Sequence, residues 1–250
     1  MTVLRAVVFD LDGTLFDHAG ASVTAVERFF AGLGVAASDA VVAAWGDAER
    51  RHLDRWRRGE IDFADQRRAR LAEVLPLAGL APPRDADAAD ALFGRYLSEY
   101  RSVWRLFDGS VELVEAIRAT GLRVGMLTNG TEEQQRDKLV VTGLDRHLDV
   151  VCTSEWIGAA KPDPAAFAAV AAALGVQVAE CLLVGDDPEV DVAGARAAGM
   201  PAVLVEPARD GAAGVRAAVW SAIRASDGAG TQSAVAWSDA SPAATRRLDP

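Results

Sequence analysis

The feature that most constrains the fold is an alternation of short apolar runs with helix-like segments. The apolar runs lie at residues 3–9, 123–127, 150–152, 181–184 and 202–205. The helical patterns lie at residues 110–120, 132–142, 164–174 and 190–198. Strands that alternate with helices of this length predict βαβ units, and therefore a doubly wound, Rossmann-like α/β core with a parallel sheet. We assign residues 1–15 and 107–225 to this core.

Residues 16–106 interrupt the alternation, because they contain no convincing strand. Amphipathic helical patterns occupy residues 21–33, 38–57, 62–78 and 85–104 instead. A helical block that directly follows the first strand predicts an inserted all-α cap over the ends of the strands. Residues 226–250 are rich in Ser, Ala, Gly, Thr and Asp without periodicity, so we predict a disordered tail there.

The composition, 50% hydrophobic and 25% charged over 250 residues, is typical of a globular protein. No apolar run approaches the roughly 20 residues that span a bilayer, and no signal peptide is recognisable. We therefore expect a cytoplasmic protein without a membrane partner, either a monomer or a homodimer. The net charge of -10 argues against a nucleic-acid partner. Cys152 and Cys181 lie in apolar runs and are predicted to be buried thiols.

Polar side chains follow four of the five predicted strands. Asp10 and Asp12 follow the first, the segment 128–130 follows the second, the third leads toward Lys161, and Asp186 and Asp187 follow the fourth. In an open parallel sheet the ligand crevice lies beyond the carboxyl ends of the strands, at the point where the strand order reverses. We therefore expect these residues to converge at one site.

The residue types at these positions suit phosphoryl transfer. Asp10 is a candidate nucleophile that would form an aspartyl-phosphate, and Asp12 a candidate acid and base for the leaving oxygen and the water. Asp186 adds a third carboxylate, and magnesium is usually held by one or two carboxylates together with substrate phosphate and waters. The sequence thus predicts a magnesium-dependent enzyme that acts on a small-molecule phosphate ester.

Two further groups are candidate phosphate ligands. Thr128 offers a hydroxyl, and the backbone N–H groups of Asn129 and Gly130 could clamp the phosphate oxygens. Lys161 would supply a positive charge, and Lys138 and Lys161 are the only lysines among 26 basic residues. The choice of lysine at residue 161, in a chain that otherwise uses arginine, favours a role for a compact ammonium group. Asp187 and Asp191 are predicted to act around the site, Asp191 by orienting Lys161 or binding a magnesium-bound water.

Four segments of the chain, taken together, resemble the signature motifs of the haloacid dehalogenase superfamily. They are Asp10-Leu11-Asp12-Gly13-Thr14-Leu15, Leu127-Thr128-Asn129-Gly130, Lys161-Pro162-Asp163-Pro164 and Gly185-Asp186-Asp187-Pro188-Glu189-Val190-Asp191. The resemblance covers residues 3–205 and is to the branch with a helical cap after the first motif. It implies that Asp10 is the nucleophile and Asp12 the acid and base, and that Thr128 and Lys161 bind phosphate.

The same resemblance implies a magnesium ion held by Asp10, Asp186 and the main-chain carbonyl of Asp12. Relatives often carry Asn where this chain has Val190, one residue before Asp191.

Several reactions of the superfamily stay open at this point. Its 2-haloacid dehalogenases use the same nucleophile but lack the second aspartate, so Asp12 favours phosphate chemistry. Phosphonate hydrolysis requires a lysine in the cap, which has none, and the sugar-phosphate mutases carry a histidine where this chain has Ser22. A catalytically idle binding module on the same fold is the alternative from another class.

Two further assignments in the cap stay open. His18 could be structural or could reach the leaving group. The arginines on the helix faces could be solvated or could meet a second anionic group on the substrate; they are Arg50, Arg51, Arg57, Arg58, Arg67, Arg68 and Arg70.

Overall fold

The computed structural model describes residues 3–227, and its centre is a five-stranded sheet. The strands are β1 (Ala6–Phe9), β2 (Arg123–Thr128), β3 (Val150–Thr153), β4 (Cys181–Gly185) and β5 (Ala202–Leu204). Their order across the sheet is β3-β2-β1-β4-β5, and every neighbouring pair is parallel. The strand order reverses at β1, which is where an open α/β sheet forms its ligand crevice.

Ten α-helices within the described range connect or cover these strands. They are α1 (His18–Ala31), α2 (Asp39–Arg57), α3 (Phe63–Val74), α4 (Ala86–Ser102), α5 (Ser110–Arg118), α6 (Glu132–Thr142), α7 (Ser154–Ile157), α8 (Pro164–Ala173), α9 (Gly194–Ala197) and α10 (Pro207–Asp227). A π-helical turn, Pro188–Ala193, leads directly into α9. None of these helices has the combination of length and apolarity that crossing a bilayer requires.

The central strand β1 is buried on both faces, because its side chains alternate between two apolar layers. Val7 and Phe9 belong to a large hydrophobic cluster that continues into the helices α1 to α4. Ala6 and Val8 belong to a second cluster, together with Phe167 of α8. This two-sided burial explains why the strand is apolar at every position.

The helices α1 to α4 form a block between β1 and α5. Within it, α1 packs on α4 and α2 packs on α3. Aromatic rings fill the centre of the block: the ring of Trp45 lies 6.0 Å from that of Phe93, in a stacked arrangement, and 4.6 Å from that of Tyr96. Rings of this size bury a large apolar area, so they stabilise the four-helix block.

The predicted parallel α/β fold is confirmed, and the predicted helix at residues 132–142 coincides with α6. The strand predicted from residue 3 begins only at Ala6, and Val3 is 65% exposed. Cys152 and Cys181 are free and buried, as predicted. The segment predicted as a helix over residues 190–198 is instead a π-helical turn followed by α9.

The helix α10 was not anticipated from the sequence. Its buried residues Val215, Val219 and Ile223 recur every fourth residue, as in an amphipathic helix. Gly211, with a φ of 62°, interrupts the helix near its start and obscures the pattern. Residues 226 and 227, predicted as the start of a disordered tail, belong to α10, and the rest of that tail lies outside the described residues.

Candidate active site

A cavity of about 250 Å³ lies between the carboxyl ends of the strands and the helices α1 to α4. The residues that follow β1, β2 and β4 form one side of it, and side chains of the helical block form the other. All of the residues proposed above as site residues line this cavity: Asp10, Asp12, Thr128, Asn129, Lys161, Asp186, Asp187 and Asp191. Parallel strand ends thus bring together residues that are far apart in the sequence.

Lys161 holds two carboxylates at the base of the cavity. Its Nζ donates to Asp10 Oδ1 at 2.5 Å and to Asp191 Oδ1 at 2.6 Å. All three side chains are almost completely buried. The second oxygen of Asp191 accepts a hydrogen bond from the backbone N–H of Asp187 at 3.2 Å. Both oxygens of Asp191 are therefore occupied, whereas Asp10 Oδ2 has no hydrogen-bond partner among the described residues.

The charges at this position do not balance. Oxygens of Asp10, Asp186 and Asp191 lie within 4.8 Å of one another, and Lys161 is the only cation in contact with them among residues 3–227. Burial raises the pKa of Asp10, and the neighbouring carboxylates Asp191 and Asp186 add to this effect against the opposing charge of Lys161. Burial likewise raises the pKa of Asp186 to about 6. Such a cluster favours an additional cation.

Two glycines allow the carboxylates to approach so closely. Gly13 has a φ of 92°, and a Cβ there would lie 2.1 Å from Asp186 Oδ2. A Cβ at Gly185 would lie 2.5 Å from the carboxylate of Asp191. The loops after β1 and β4 could not meet at this distance with larger residues. Thr14 fastens the contact, since its hydroxyl donates to Asp186 Oδ1 at 3.1 Å.

The carboxylate of Asp12 is held apart from this cluster by Lys138 of α6. Lys138 Nζ donates to Oδ1 of Asp12 at 2.6 Å and to Oδ2 at 2.8 Å. Burial acts to raise the pKa of Asp12, but the charge of Lys138 together with weaker effects lowers it below its usual value. His18 and the hydrogen bonds from Lys138 and Gln135 act in the same direction. Asp12 is therefore ionised in this state.

Lys138 was missed in the sequence, although the signal that pointed to Lys161 applies to it equally. Both lysines of this arginine-rich chain lie in the cavity and bind an aspartate of the first motif. Lys138 is 2% exposed, with its ammonium 4.9 Å from the ring centroid of Phe16 and 5.9 Å from that of Tyr100. Cation–π contacts of this kind hold an ammonium in place without neutralising it.

Gln135, also on α6 and also missed, links Asp12 to Thr128. Its Nε2 donates to Asp12 Oδ2 at 3.0 Å and to the Thr128 hydroxyl at 2.6 Å. Gln135 and Lys138 are three residues apart and so lie on the same face of the helix. That face points into the cavity, and this spacing of two long polar side chains after the second motif was the available signal.

The side chain of Asn129 fastens the loop that carries Lys161. Its Nδ2 donates to the carbonyl of Lys161 at 2.9 Å, and its Oδ1 accepts from the N–H of Lys161 at 2.9 Å. The N–H of Gly130, expected to contact phosphate, donates instead to Ser154 Oγ at 2.9 Å. The N–H of Gly130 is thus hydrogen-bonded to a side chain of α7. The sequence around Gly130 does not predict this contact.

Asp187 lies at the edge of the cavity and caps the helical turn after β4. Its Oδ1 accepts hydrogen bonds from the N–H groups of Glu189 and Val190, both at 2.8 Å. This is the usual role of an aspartate at a helix N-terminus. The turn that it caps is π-helical and contains Asp191, so the cap helps to aim Asp191 at Lys161.

The helical block contributes a second set of charged groups to the cavity. His18 shares a hydrogen bond of 2.6 Å with the hydroxyl of Tyr100, and its Nε2 lies 3.5 Å from Glu49. The other oxygen of Glu49 forms an ion pair with Arg70 Nη1 at 3.0 Å. Burial acts to raise the pKa of Glu49, but Arg70 and His18 together lower it to about 2. Glu49 is thus an ionised group in the cavity wall at neutral pH.

Comparison with known proteins places the chain in a family. The model of the haloacid dehalogenase-like hydrolases matches residues 4–199. The phosphoserine phosphatase of Thermus thermophilus is 40% identical over 134 residues, which are 54% of this chain and about half, 52%, of that protein. The phosphoglycolate phosphatase (plasmid) of Cupriavidus necator is 35% identical over 201 residues, 80% of each chain.

Two solved structures share the fold. The protein YfnB of Bacillus subtilis, whose structure was determined with magnesium bound, has a TM-score of 0.72 and 20% identity over 83% of this chain and 91% of that one. The L-2-haloacid dehalogenase of Xanthobacter autotrophicus has a TM-score of 0.63 and 26% identity over 81% and 78%. These matches agree with the four motifs converging on one cavity. The chain belongs to the haloacid dehalogenase-like hydrolases and is itself a hydrolase.

Proposed function

We propose that this hydrolase is a magnesium-dependent phosphatase that cleaves a small phosphomonoester through an aspartyl-phosphate on Asp10. The observation that carries the proposal is the pair of aspartates in the cavity with separate partners. Asp10 lies against Lys161 in the buried carboxylate cluster, and Asp12 lies against Lys138 and Gln135. Two carboxylates in different electrostatic surroundings suit the different roles of nucleophile and proton carrier. Phosphatase relatives support the same reaction class.

The residues of the carboxylate cluster fit a magnesium ion. Their donors are oxygens alone, as hard divalent cations require, and the surplus negative charge needs a counter-ion. Asp10 and Asp186 would hold the ion together with the main-chain carbonyl of Asp12. Asp191 would stay outside the coordination shell, because its oxygens bind Lys161 and the N–H of Asp187. When bound, magnesium supplies charge neutralisation between the anionic nucleophile and the phosphate.

The side chains support a two-step reaction. Asp10 attacks phosphorus, the bond to the ester oxygen breaks, and Asp12 donates its proton to that oxygen. Asp12 then takes a proton from the water that hydrolyses the aspartyl-phosphate and restores Asp10. The ammonium of Lys161 and the hydroxyl of Thr128 stabilise the charge on the equatorial oxygens. Asp12 is ionised before substrate binds, and the approaching phosphate dianion raises its pKa so that it takes up from the solvent the proton that it then donates.

The first experiment is phosphate release from a broad panel of phosphomonoesters by the purified protein with magnesium. Hydrolysis of at least one ester, lost on addition of EDTA and restored by magnesium, is the expected result. Absence of phosphate release from every ester would contradict the proposed function.

A second candidate is dehalogenation, favoured by the 26% identity to the Xanthobacter autotrophicus enzyme, which was solved with chloropropionic acid covalently bound. Chloride release from 2-chloropropionate, measured beside the phosphate panel, distinguishes the two reactions. The Asp12–Lys138 pair favours phosphate hydrolysis, since it places a proton carrier beside the nucleophile.

Replacing Lys138 with methionine is expected to lower kcat by roughly 10²-fold, because the carboxylate of Asp12 loses the group that fixes its position. Methionine keeps the volume and the contacts with Phe16 and Tyr100. The same substitution raises the pKa of Asp12, since the opposing charge is gone. Steady-state kinetics of the variant check the prediction. Lys138→Arg, which keeps the positive charge, is the control variant. An unchanged kcat in Lys138→Met would show that Lys138 is not required for catalysis.

Magnesium is expected to stabilise the folded protein by about 2.7 kcal/mol when its concentration is 100 times its Kd. The stabilisation should be lost in Asp186→Asn and kept in Asp187→Asn, which retains the capping oxygen. Thermal denaturation at increasing magnesium concentration measures both. Because the pKa of Asp186 is about 6 without metal, protons compete below that pH, and the apparent Kd for magnesium rises as the pH falls. Equal stabilisation of Asp186→Asn and wild type would exclude Asp186 as a ligand.

A further inference from the structure

The wall of the cavity opposite Asp10 carries two arginines of α3, Arg67 and Arg70. They are three residues apart and therefore lie on one face of the helix. Both guanidinium groups contact the ring of Phe93, Arg67 at 5.5 Å and Arg70 at 5.2 Å from the ring centroid. The helical block thus presents two neighbouring positive charges to the space in which the leaving group of a phosphoester would lie.

The helical block offers these arginines fewer carboxylates than they need to form ion pairs. Glu49 is the only carboxylate that α1 to α4 contribute to the cavity, and its oxygens are taken by Arg70 and His18. Arg67 has no carboxylate within 4.0 Å among residues 3–227. Burial and the like charge of Arg70 lower the pKa of Arg67, against the weaker opposing charges of Glu133 and Asp90. Of these two arginines, Glu49 contacts Arg70 alone, and Arg57 of α2, which pairs with Asp54, lines the cavity as well. The helical side of the cavity therefore carries more cations than carboxylates.

Arg68, which lies between Arg67 and Arg70 in the sequence, has carboxylate partners of its own. Arg68 points away from the cavity and binds Asp90 with two hydrogen bonds, at 2.8 Å and 2.6 Å, and Asp65 at 3.0 Å. Carboxylates therefore contact the arginine on the outer face of α3, whereas Arg67 on the inner face has no carboxylate in contact among the described residues. Solvent screens an outer charge, whereas a charge in a cavity wall is screened much less and needs a partner.

Arg70 also retains unused hydrogen-bonding capacity. It is 3% exposed, and its Nη1 forms an ion pair with Glu49, but its Nε and Nη2 have no hydrogen-bond partner among the described residues. These two nitrogens form one edge of the guanidinium, the edge that pairs with two oxygens of a carboxylate or phosphate. Gln66 Oε1, one turn earlier, is also unpaired but is neutral, so it leaves the net charge of the wall unchanged.

We infer that Arg67 and Arg70 form a subsite for a second oxyanion, a carboxylate or phosphate, on the leaving group of the substrate. The inference rests on the proposed phosphatase function and specifies its substrate class. Lys161 and Thr128 would hold the transferred phosphate at one end of the cavity, and the α3 arginines would hold the second anion at the other. The cavity is smaller than the roughly 300–1,000 Å³ of typical drug-sized sites, which favours a compact dianionic metabolite.

The test compares three esters of one carbon skeleton. They are 1,3-propanediol monophosphate, which is neutral at its far end, the phosphate ester of 3-hydroxypropionate, which carries a carboxylate there, and 1,3-propanediol bisphosphate, which carries a second phosphate. We expect kcat/KM for at least one of the two anionic esters to exceed that for the neutral ester by about tenfold or more. Which anionic ester is preferred identifies the second group as carboxylate or phosphate.

The variants Arg67→Gln and Arg70→Gln then assign the preference to these residues. In each, the ratio of kcat/KM between the anionic and neutral esters should fall toward one, whereas Arg68→Gln, changed at the intervening position, should keep the wild-type ratio. Equal kcat/KM for all three esters in the wild type would overturn the inference even if neither variant folds. A ratio that survives in both folded variants would also overturn it. Hydrolysis of none of these esters, nor of any in the wider panel, would instead refute the proposed phosphatase function.

Discussion

Replacing Asp10 with asparagine is expected to lower kcat by about 10⁴-fold or more, the loss typical of removing a catalytic nucleophile. Asparagine keeps the size of the side chain, so the loop after β1 should keep its shape. Lys161 would keep Asp191 as its partner at 2.6 Å. Phosphate release in single-turnover and steady-state assays measures the loss. Activity near that of the wild type in Asp10→Asn would exclude Asp10 as the nucleophile.

The same variant is expected to be more stable than the wild type, although it is less active. Burial raises the pKa of Asp10 to about 8 in the folded protein, so stability falls as the pH rises from the ordinary carboxyl pKa toward 8, and the full cost remains above it. Asparagine cannot ionise, and Asp10→Asn should therefore unfold at a higher temperature than the wild type in metal-free buffer at pH 8 or above. Asp145→Asn, an exposed position outside the cavity, is the matched control and should change neither activity nor melting temperature. A destabilised Asp10→Asn would mean that Lys161 outweighs the crowded carboxylates.

Replacing Asp12 with asparagine is expected to lower kcat by about 10²- to 10⁴-fold for alkyl phosphates, the usual contribution of general acid–base catalysis. The loss should be smaller in the first step with p-nitrophenyl phosphate, because nitrophenolate leaves without a proton. In the proposed mechanism, hydrolysis of the aspartyl-phosphate would still need Asp12 as a base. The variant should therefore show a burst of about one nitrophenol per active site, followed by slow turnover.

Stopped-flow absorbance at the nitrophenolate band measures this burst. Asp12→Asn also removes the partner of the buried Lys138, so the folded state must be confirmed by circular dichroism. The variant Lys138→Met, Asp12→Asn removes both charges and controls for an unpaired ammonium. Equal losses for alkyl and aryl esters, without a burst, would show that Asp12 positions substrate and carries no proton.

The helical block α1 to α4 and the rest of the described chain both contribute charged groups to this cavity. Lys161 and Lys138 from the core pair with the two aspartates of the first motif. The helical block adds Arg57, Arg67, Arg70, His18 and a single carboxylate, Glu49. In the proposed function, the strand ends would perform the chemistry while the helical block selects the leaving group.

Much of this organisation follows from local patterns. The apolar runs predict the strands because a strand in a parallel sheet is buried on both faces, and β1 is fully buried at all four positions. The four motifs predict the cavity because parallel strand ends meet at one edge of the sheet. The residues proposed in this way include Asp10, Lys161 and Asp186, which line the cavity together.

The sequence by itself thus determined the fold class, the family and the set of residues at the strand ends. Only the tertiary structure decided their partners: Lys138 and Gln135 on Asp12, Ser154 on the N–H of Gly130, and Asp191 on Lys161. The physical reason is that hydrophobic periodicity and turn residues act over a few positions along the chain, whereas an ion pair depends on distance in space. A residue such as Lys138 lies 126 positions from Asp12 and meets it only because α6 follows the strand that pairs with β1.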